Sequence, residues 1–300
     1  MFMLFQKGSY MKDKNTARYE DRVSRVCSYI EQNLDKDLSL DILSEVAAFS
    51  KYHFHRVFTA YTGLSVARFI LLTRLKRASY RIAFKNNIRI IDIALEAGFD
   101  SPEAFSRAFK RELNQSPSEF MSAPQWKQWH SIFQNRLPCK GTNIMDVKII
   151  DFDETNIALI EHHGPKELVL DTAAKFIAWR KETGLSPIKT SKTFGIPRND
   201  PNSVAPEKFQ FDICGSIDRD VPQNTHGVKS GTIPGGRCAI LRIKGSHDQI
   251  DENIYALYRD WLPESGEECR NFPCFFQYIN FAHDVDECDL LTDIFLPLKG

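Results

Sequence analysis

Apolar positions recur at helical spacing through the first half of the chain and at strand spacing through the second. Val23, Val26, Cys27 and Ile30 follow the charged start Glu20-Asp21-Arg22 at steps of three and four, predicting a helix that ends near Asn33. Ser39 heads a second helix carrying Leu40, Leu43 and Ala47. Ser50 heads a third, in which Phe54, Val57, Phe58 and Tyr61 form one apolar stripe opposite Tyr52, His55, Arg56 and Thr59. Gly63 suits the left-handed stop that follows. A long fourth helix runs from Ser65 to about Lys85, and Ile90, Ile91, Ile93, Ala94 and Ala97 make a fifth, closed by Gly98. Ser101 caps a sixth with Pro102 in its first turn, where the missing N–H costs nothing. Phe105, Ala108 and Phe109 face inward there, leaving Glu103, Ser106, Arg107 and Lys110 outward. Ser116-Pro117-Ser118-Glu119 opens a short closing helix.

This first half says the same thing twice. Phe54, Arg56, Phe58 and Phe69 return as Phe105, Arg107, Phe109 and Phe120, each at an offset of 51. A repeated unit of short helix, tight turn and second helix is a tandem helix-turn-helix. That shape sets a helix in the DNA major groove, so double-stranded DNA is the predicted partner. The fourth helix carries Arg68, Arg74, Lys76, Arg77 and Arg81. Two readings stay open for it: a solvated face, or a joint that also holds phosphate.

After a mixed connector over 122–145 the pattern changes to strands. Ala158-Leu159-Ile160-Glu161-His162-His163-Gly164 is matched by Ala239-Ile240-Leu241-Arg242-Ile243-Lys244-Gly245, an offset of 81. Each is followed by an aromatic-bearing helix (Phe176 and Trp179; Tyr255, Tyr258 and Trp261) and then by a glycine, Gly184 or Gly266. Further strands are expected over Phe209–Ile217, Arg237–Ile243, Cys274–Asn280 and Leu290–Pro297. The predicted fold is thus an N-terminal all-α tandem helix-turn-helix domain ahead of a C-terminal α+β domain. The latter is built from two pseudo-twofold strand-helix-strand-strand modules. The expected division is an unstructured 1–16, a DNA-binding domain at 17–121, the connector at 122–145 and a second domain at 146–300.

Charge separates the halves. The chain is neutral overall, yet residues 1–140 hold 22 Lys and Arg against 14 Asp and Glu, and the remainder holds 17 against 25. A basic half meets phosphate; an acidic half does not. Seven scattered cysteines without a C-x-x-C read as reduced thiols. With no apolar run long enough for a membrane span and no signal-peptide pattern, a cytoplasmic protein without membrane attachment is expected. His53 and His55 point to opposite sides of their helix, so no metal site is expected, and no motif calls for a cofactor.

The run Ser50-Lys51-Tyr52-His53-Phe54-His55-Arg56-Val57-Phe58 with Gly63, then Ala97-Gly98-Phe99-Asp100-Ser101 through Phe105 and Arg107 to Phe109-Lys110 and Ser116-Pro117, resembles the AraC/XylS regulators. The resemblance covers about residues 22–121. It implies two recognition helices entering successive major grooves about 34 Å apart, with DNA contacts at Lys51, Tyr52, His55 and Arg56 and at Ser101, Glu103 and Arg107. Arginine forks to guanine and glutamate accepts from cytosine. Pro102 departs from the polar residue many members carry. Two units in one chain would let a monomer bind, with RNA polymerase as a further partner.

Gly195-Ile196-Pro197, Pro206-Glu207-Lys208-Phe209-Gln210-Phe211-Asp212, Gly235-Gly236-Arg237 and Thr292-Asp293-Ile294 look like the GyrI-like effector-binding domain over about 146–299. The resemblance implies a small-molecule effector in a cleft between the modules. Candidate liners are Trp179, Tyr255, Tyr258, Trp261, Phe276 and Tyr278, each of which has core packing as its alternative. Phe276 and Tyr278 share one strand face. Phe276 stands where relatives that bind lipophilic cations have a glutamate, so a neutral or weakly cationic amphiphile is expected unless Asp212 or Glu161 substitutes. No catalytic residue is assigned. The alternatives to a ligand sensor are a hydrolase-like domain, which needs an acid and a hydroxyl on one cleft, and a protein-interaction module using the acidic run Asp284, Asp286, Glu287 and Asp289.

Overall fold

The computed structural model describes residues 14–85, 88–133 and 145–300, with the backbone alone at 14–18 and at Tyr52. Most of the expected unstructured N-terminus, and residues 134–144 of the connector, lie outside these. The described residues form two compact units, and the division falls inside one helix, between Thr73 and Arg74.

The first unit contains α1 (Lys14–Gln32), α2 (Leu40–Val46), α3 (Lys51–Thr62) and the start of α4 (Val66–Phe84). Its core is the predicted one: Val23, Val26, Cys27 and Ile30 of α1 meet Leu43, Phe54, Phe58 and Phe69. The rings of Phe54, Phe58 and Phe69 follow one another at centroid separations of 5.8 and 5.4 Å. Tyr61 is a correction to the predicted stripe, for it is exposed and stacks on Tyr19.

The second unit takes up α4 from Arg74 and continues with α5 (Ile90–Glu96), α6 (Pro102–Leu113), α7 (Pro117–Ser122) and α8 (Trp126–Phe133). Phe105, Phe109 and Phe120 repeat the ring chain of the first copy, with centroids 5.5 and 5.5 Å apart. The turns differ in cost. Gly98 takes the left-handed conformation freely at φ +71°, whereas Ala48 is held there at φ +51° with a Cβ to accommodate. Part of the expected connector is also helical. Trp126, Trp129 and Phe133 of α8 are fully buried, and the Trp129 indole N–H donates to Ser79 Oγ at 2.6 Å. Three large aromatics within eight residues drive that segment inward.

The remainder is one eight-stranded antiparallel sheet of β1 (Val147–Phe152), β2 (Thr155–His163), β3 (Thr193–Pro197), β4 (Gln210–Ser216), β5 (Lys229–Ile233), β6 (Gly236–Lys244), β7 (Phe275–Tyr278) and β8 (Leu291–Pro297). Its order is β1-β6-β8-β7-β3-β4-β2-β5. Helix α9 (Val169–Thr183) follows β2, and α10 (Ile250–Ala256) follows β6, running on through a widened turn at Leu257–Trp261 to Ser265. The order is symmetric about the β7–β3 pair, as two strand-helix-strand-strand modules require. The leading strands are exchanged: β1 pairs with β6, and β5 with β2. Each module therefore closes the other's edge, which leaves fewer unpaired backbone groups.

Candidate recognition helices and a buried cavity

On α3, the buried Phe54 and Phe58 fix which face points outward, and His55 and Arg56 stand exposed on it. Lys51 is exposed and pairs with Asp41 through Nζ, 2.5 Å from Oδ1. The side chain of Tyr52 lies outside the described residues. On α6, Phe105, Ala108 and Phe109 are buried while Glu103 and Arg107 are exposed; Ser106, expected outward, is half-buried. Ser101 Oγ accepts from the Ala104 N–H at 3.1 Å and so caps the helix N-terminus. Arg56 and Arg107 occupy equivalent exposed places in the two copies.

Helix α4 departs from both expectations held for it. Lys76 and Arg77 are buried, at 3% and 7% exposure, and neither is a solvated cation nor free to hold phosphate. Lys76 Nζ lies 3.1 Å from Asp248 Oδ2 and 2.6 Å from Glu287 Oε1. Arg77 Nη1 lies 3.1 Å from Asp286 Oδ2, and its Nη2 donates to the Glu96 carbonyl at 2.6 Å. Arg81 joins Glu96 and Asp286. Burial alone would depress the Lys76 ammonium, but the Glu287 and Asp248 carboxylates more than offset it and raise its pKa. Asp286 and Glu287, half of the acidic run, are thereby engaged by the chain's own helix. This clasp explains why α4 beyond Arg74 groups with the sheet.

Beneath the same helix lie two cavities, of about 140 and 160 Å³, which share Tyr80, Val169, Leu170, Phe211, His247 and Tyr278 as wall. The smaller extends over Phe84, Phe176, Ile177, Ile213 and Phe281 to Arg180 and Thr193. The larger extends over Phe209 and Phe276 to His130, Lys166, Asp248 and Asp251. Gly195 makes the packing of this wall possible, since a Cβ there would meet the Phe211 and Phe276 rings at 2.5 Å. His247 Nε2 and both ring nitrogens of His130 are buried without a hydrogen-bond partner. Burial pushes the pKa of His247 down to about 4, so its imidazole is neutral near pH 7. Its ring meets Tyr278 edge-on at 5.0 Å.

Of the six aromatics expected around a ligand, Phe276 and Tyr278 face these cavities together. Trp179 is fully buried in the core and Trp261 packs against that core. Tyr258 is exposed; Tyr255 is exposed too, its hydroxyl donating to Asp200 Oδ1 at 2.6 Å. Asp212 and Glu161 line neither cavity: Arg198 Nε donates to Asp212 at 2.6 Å, and Glu161 is held by Lys229 at 2.9 Å. The residues missed by sequence reasoning are Tyr80, Phe84, Arg180 and His247. Period alone marks Phe84 and Tyr80 as core, and no local pattern tells which core they join. Among the described residues no helix is long and apolar enough to cross a membrane, and no group of residues is arranged to hold a metal ion.

Residues 145–299 match the family model described as a GyrI-like small molecule binding domain, and residues 43–123 match a helix-turn-helix domain model. The probable transcriptional regulator YgiV of Escherichia coli K12 is 47% identical over 158 residues, which span 52% of this chain and 99% of that protein. The right origin-binding protein of the same organism is 37% identical over 245 residues, 78% of this chain and 82% of the relative. The transcriptional regulator Rob of Salmonella typhimurium is 36% identical over 246 residues, with the same coverage.

Proposed function

Because the chain belongs to the DNA-binding transcription regulators that join an AraC-type helix-turn-helix domain to a GyrI-like small molecule binding domain, we propose that an amphiphilic effector occupies the paired cavities beneath α4 and acts on DNA binding through that helix. One observation supports this reading: the cavity wall takes Tyr80 and Phe84 from α4, the helix that runs between the two helix-turn-helix repeats, alongside Phe211 and Tyr278 from the sheet. A molecule between them touches that helix and the sheet at once. Differential contact of this kind is what lets a ligand shift one conformation over another.

DNA contact rests on the exposed faces of α3 and α6, with His55 and Arg56 on one and Glu103 and Arg107 on the other. A single chain supplies both helices, so a monomer suffices. The effector domain is a sensor and not a hydrolase. Turnover requires a free acid and a hydroxyl on one cavity, and here Asp248 is engaged by Lys76 and Asp251 by Lys166.

The test is selection of a binding site from random duplexes with the full chain, followed by titration of variants. Arg56→Ala and Arg107→Ala are each expected to weaken specific binding by about 1–3 kcal/mol and to relax base choice locally. Specific binding unchanged by either variant would remove that helix from the groove.

A further inference from the structure

The smaller cavity is lined by a buried cation that has no carboxylate partner among the described residues. Arg180, at 5% exposure, extends from α9 to the cavity beside Thr193. Its Nε donates to the Ser186 carbonyl, Nη1 to Thr193 Oγ1 at 2.8 Å and Nη2 to Ser186 Oγ at 3.1 Å. A guanidinium has five N–H donors in a planar fork, so two of them remain. Among the described residues no carboxylate pairs with it, and the cavity wall contains none. Burial lowers its pKa to about 10, which still leaves it charged near neutrality.

Buried charges are normally paired, and this one is held in place by three neutral acceptors. Gly215 keeps the space for it, because a Cβ there would meet Ser186 Oγ at 2.3 Å and Arg180 Nη2 at 3.0 Å. The two cations that face the same unit from α4, Lys76 and Arg77, each have their carboxylates. At Arg180 no described residue supplies an anion, and the adjoining cavity wall is mostly apolar.

Resting on the proposed effector reading, we infer that the cavity is a site for a hydrophobic carboxylate, its apolar body against Phe84, Phe176, Ile213 and Phe281 and its carboxylate on the Arg180 guanidinium and the Thr193 hydroxyl. A cavity of about 150 Å³ accommodates a benzene ring, so a single ring or short chain fits at 140 Å³. A longer body extends along the shared wall into the second cavity. This reverses the charge expected from Phe276: the position that would pair a cation has lost its acid, and a cation stands elsewhere on the wall.

The test is calorimetric titration of the full chain with 3-phenylpropionate, the neutral 3-phenylpropionamide and the cationic 3-phenylpropylamine. The acid is expected to bind about 10–100-fold more tightly than the amide. In Arg180→Met the acid falls to the level of the amide, whose own affinity is retained and reports an intact cavity; Arg180→Lys keeps part of the preference. Equal or tighter binding of the amide or amine overturns the carboxylate site but leaves the effector reading standing. So does an acid preference that survives Arg180→Met. Absence of binding by all three removes both. Should Arg180→Met fail to fold, the acid-to-amide ratio of the unaltered chain decides.

Discussion

Lys76 and Arg180 are both cations buried in the same unit, and the molecule treats them in opposite ways. Lys76 lies between Asp248 and Glu287, which come from distant parts of the chain, and they hold its ammonium charged. Arg180 meets a carbonyl, two hydroxyls and the face of the Phe176 ring, 5.3 Å from its centroid, and among the described residues no carboxylate. The first arrangement fastens α4 to the sheet. The second sets a guanidinium, held by neutral partners, at the wall of a mostly apolar cavity. Burial by itself therefore says little about what a charged side chain is for; the counter-charge decides whether it is a clasp or a binding group.

The sharpest way to break this contrast is to remove the counter-charge at Lys76. The double variant Asp248→Asn, Glu287→Gln strands a buried ammonium and is expected to lower stability by about 3–5 kcal/mol, read from the urea midpoint. Arg180→Met removes an uncompensated charge along with its hydrogen bonds, and less than about 2 kcal/mol is expected. Comparable losses at both places would show that the two cations do not differ as described.

Next in size is a dependence on pH. His247 borders both cavities, next to Asp248 in sequence, and its pKa falls from the ordinary 6.5 to about 4. Below pH 6.5 the unfolded chain binds a proton that the folded chain refuses, so stability falls with decreasing pH and levels off near pH 4. The loss is roughly 3 kcal/mol over that window. In His247→Phe the part of the slope due to this group is expected to vanish, as thermal melts between pH 4 and 7 would show.

The smallest effect concerns the space kept for Arg180. Gly215→Ala places a methyl against Ser186 and the guanidinium, with an expected cost of about 1–3 kcal/mol. Because the methyl disturbs the hydrogen bonds that aim Arg180, binding of 3-phenylpropionate is expected to weaken while that of its amide does not. Loss of both ligands together would mean that the substitution closes the cavity instead of turning the guanidinium.

Local chemistry made much of this protein legible from its sequence. Helix positions followed from the period of apolar residues, their starts from Ser39, Ser101 and Ser116, and one of their stops from Gly63, because caps and periods act within a few residues. Both internal repeats were visible for the same reason: the Phe54-Phe58-Phe69 triad returns at 105, 109 and 120, and β2 returns as β6. The exposed faces with Arg56 and Arg107 followed from where those phenylalanines point.

What tertiary structure alone decided is which distant residues share a space. Lys76 read as a surface charge on a basic helix until Asp248 and Glu287, more than 170 residues away, were brought to it. Trp179 and Tyr255 read as equal ligand candidates, yet one is in the core and the other at the surface, since helical period does not say what lies opposite. Arg180 gave no sign in sequence at all. Its meaning rests on its surroundings: among the described residues no carboxylate pairs with it, and the cavity wall beside it is mostly apolar.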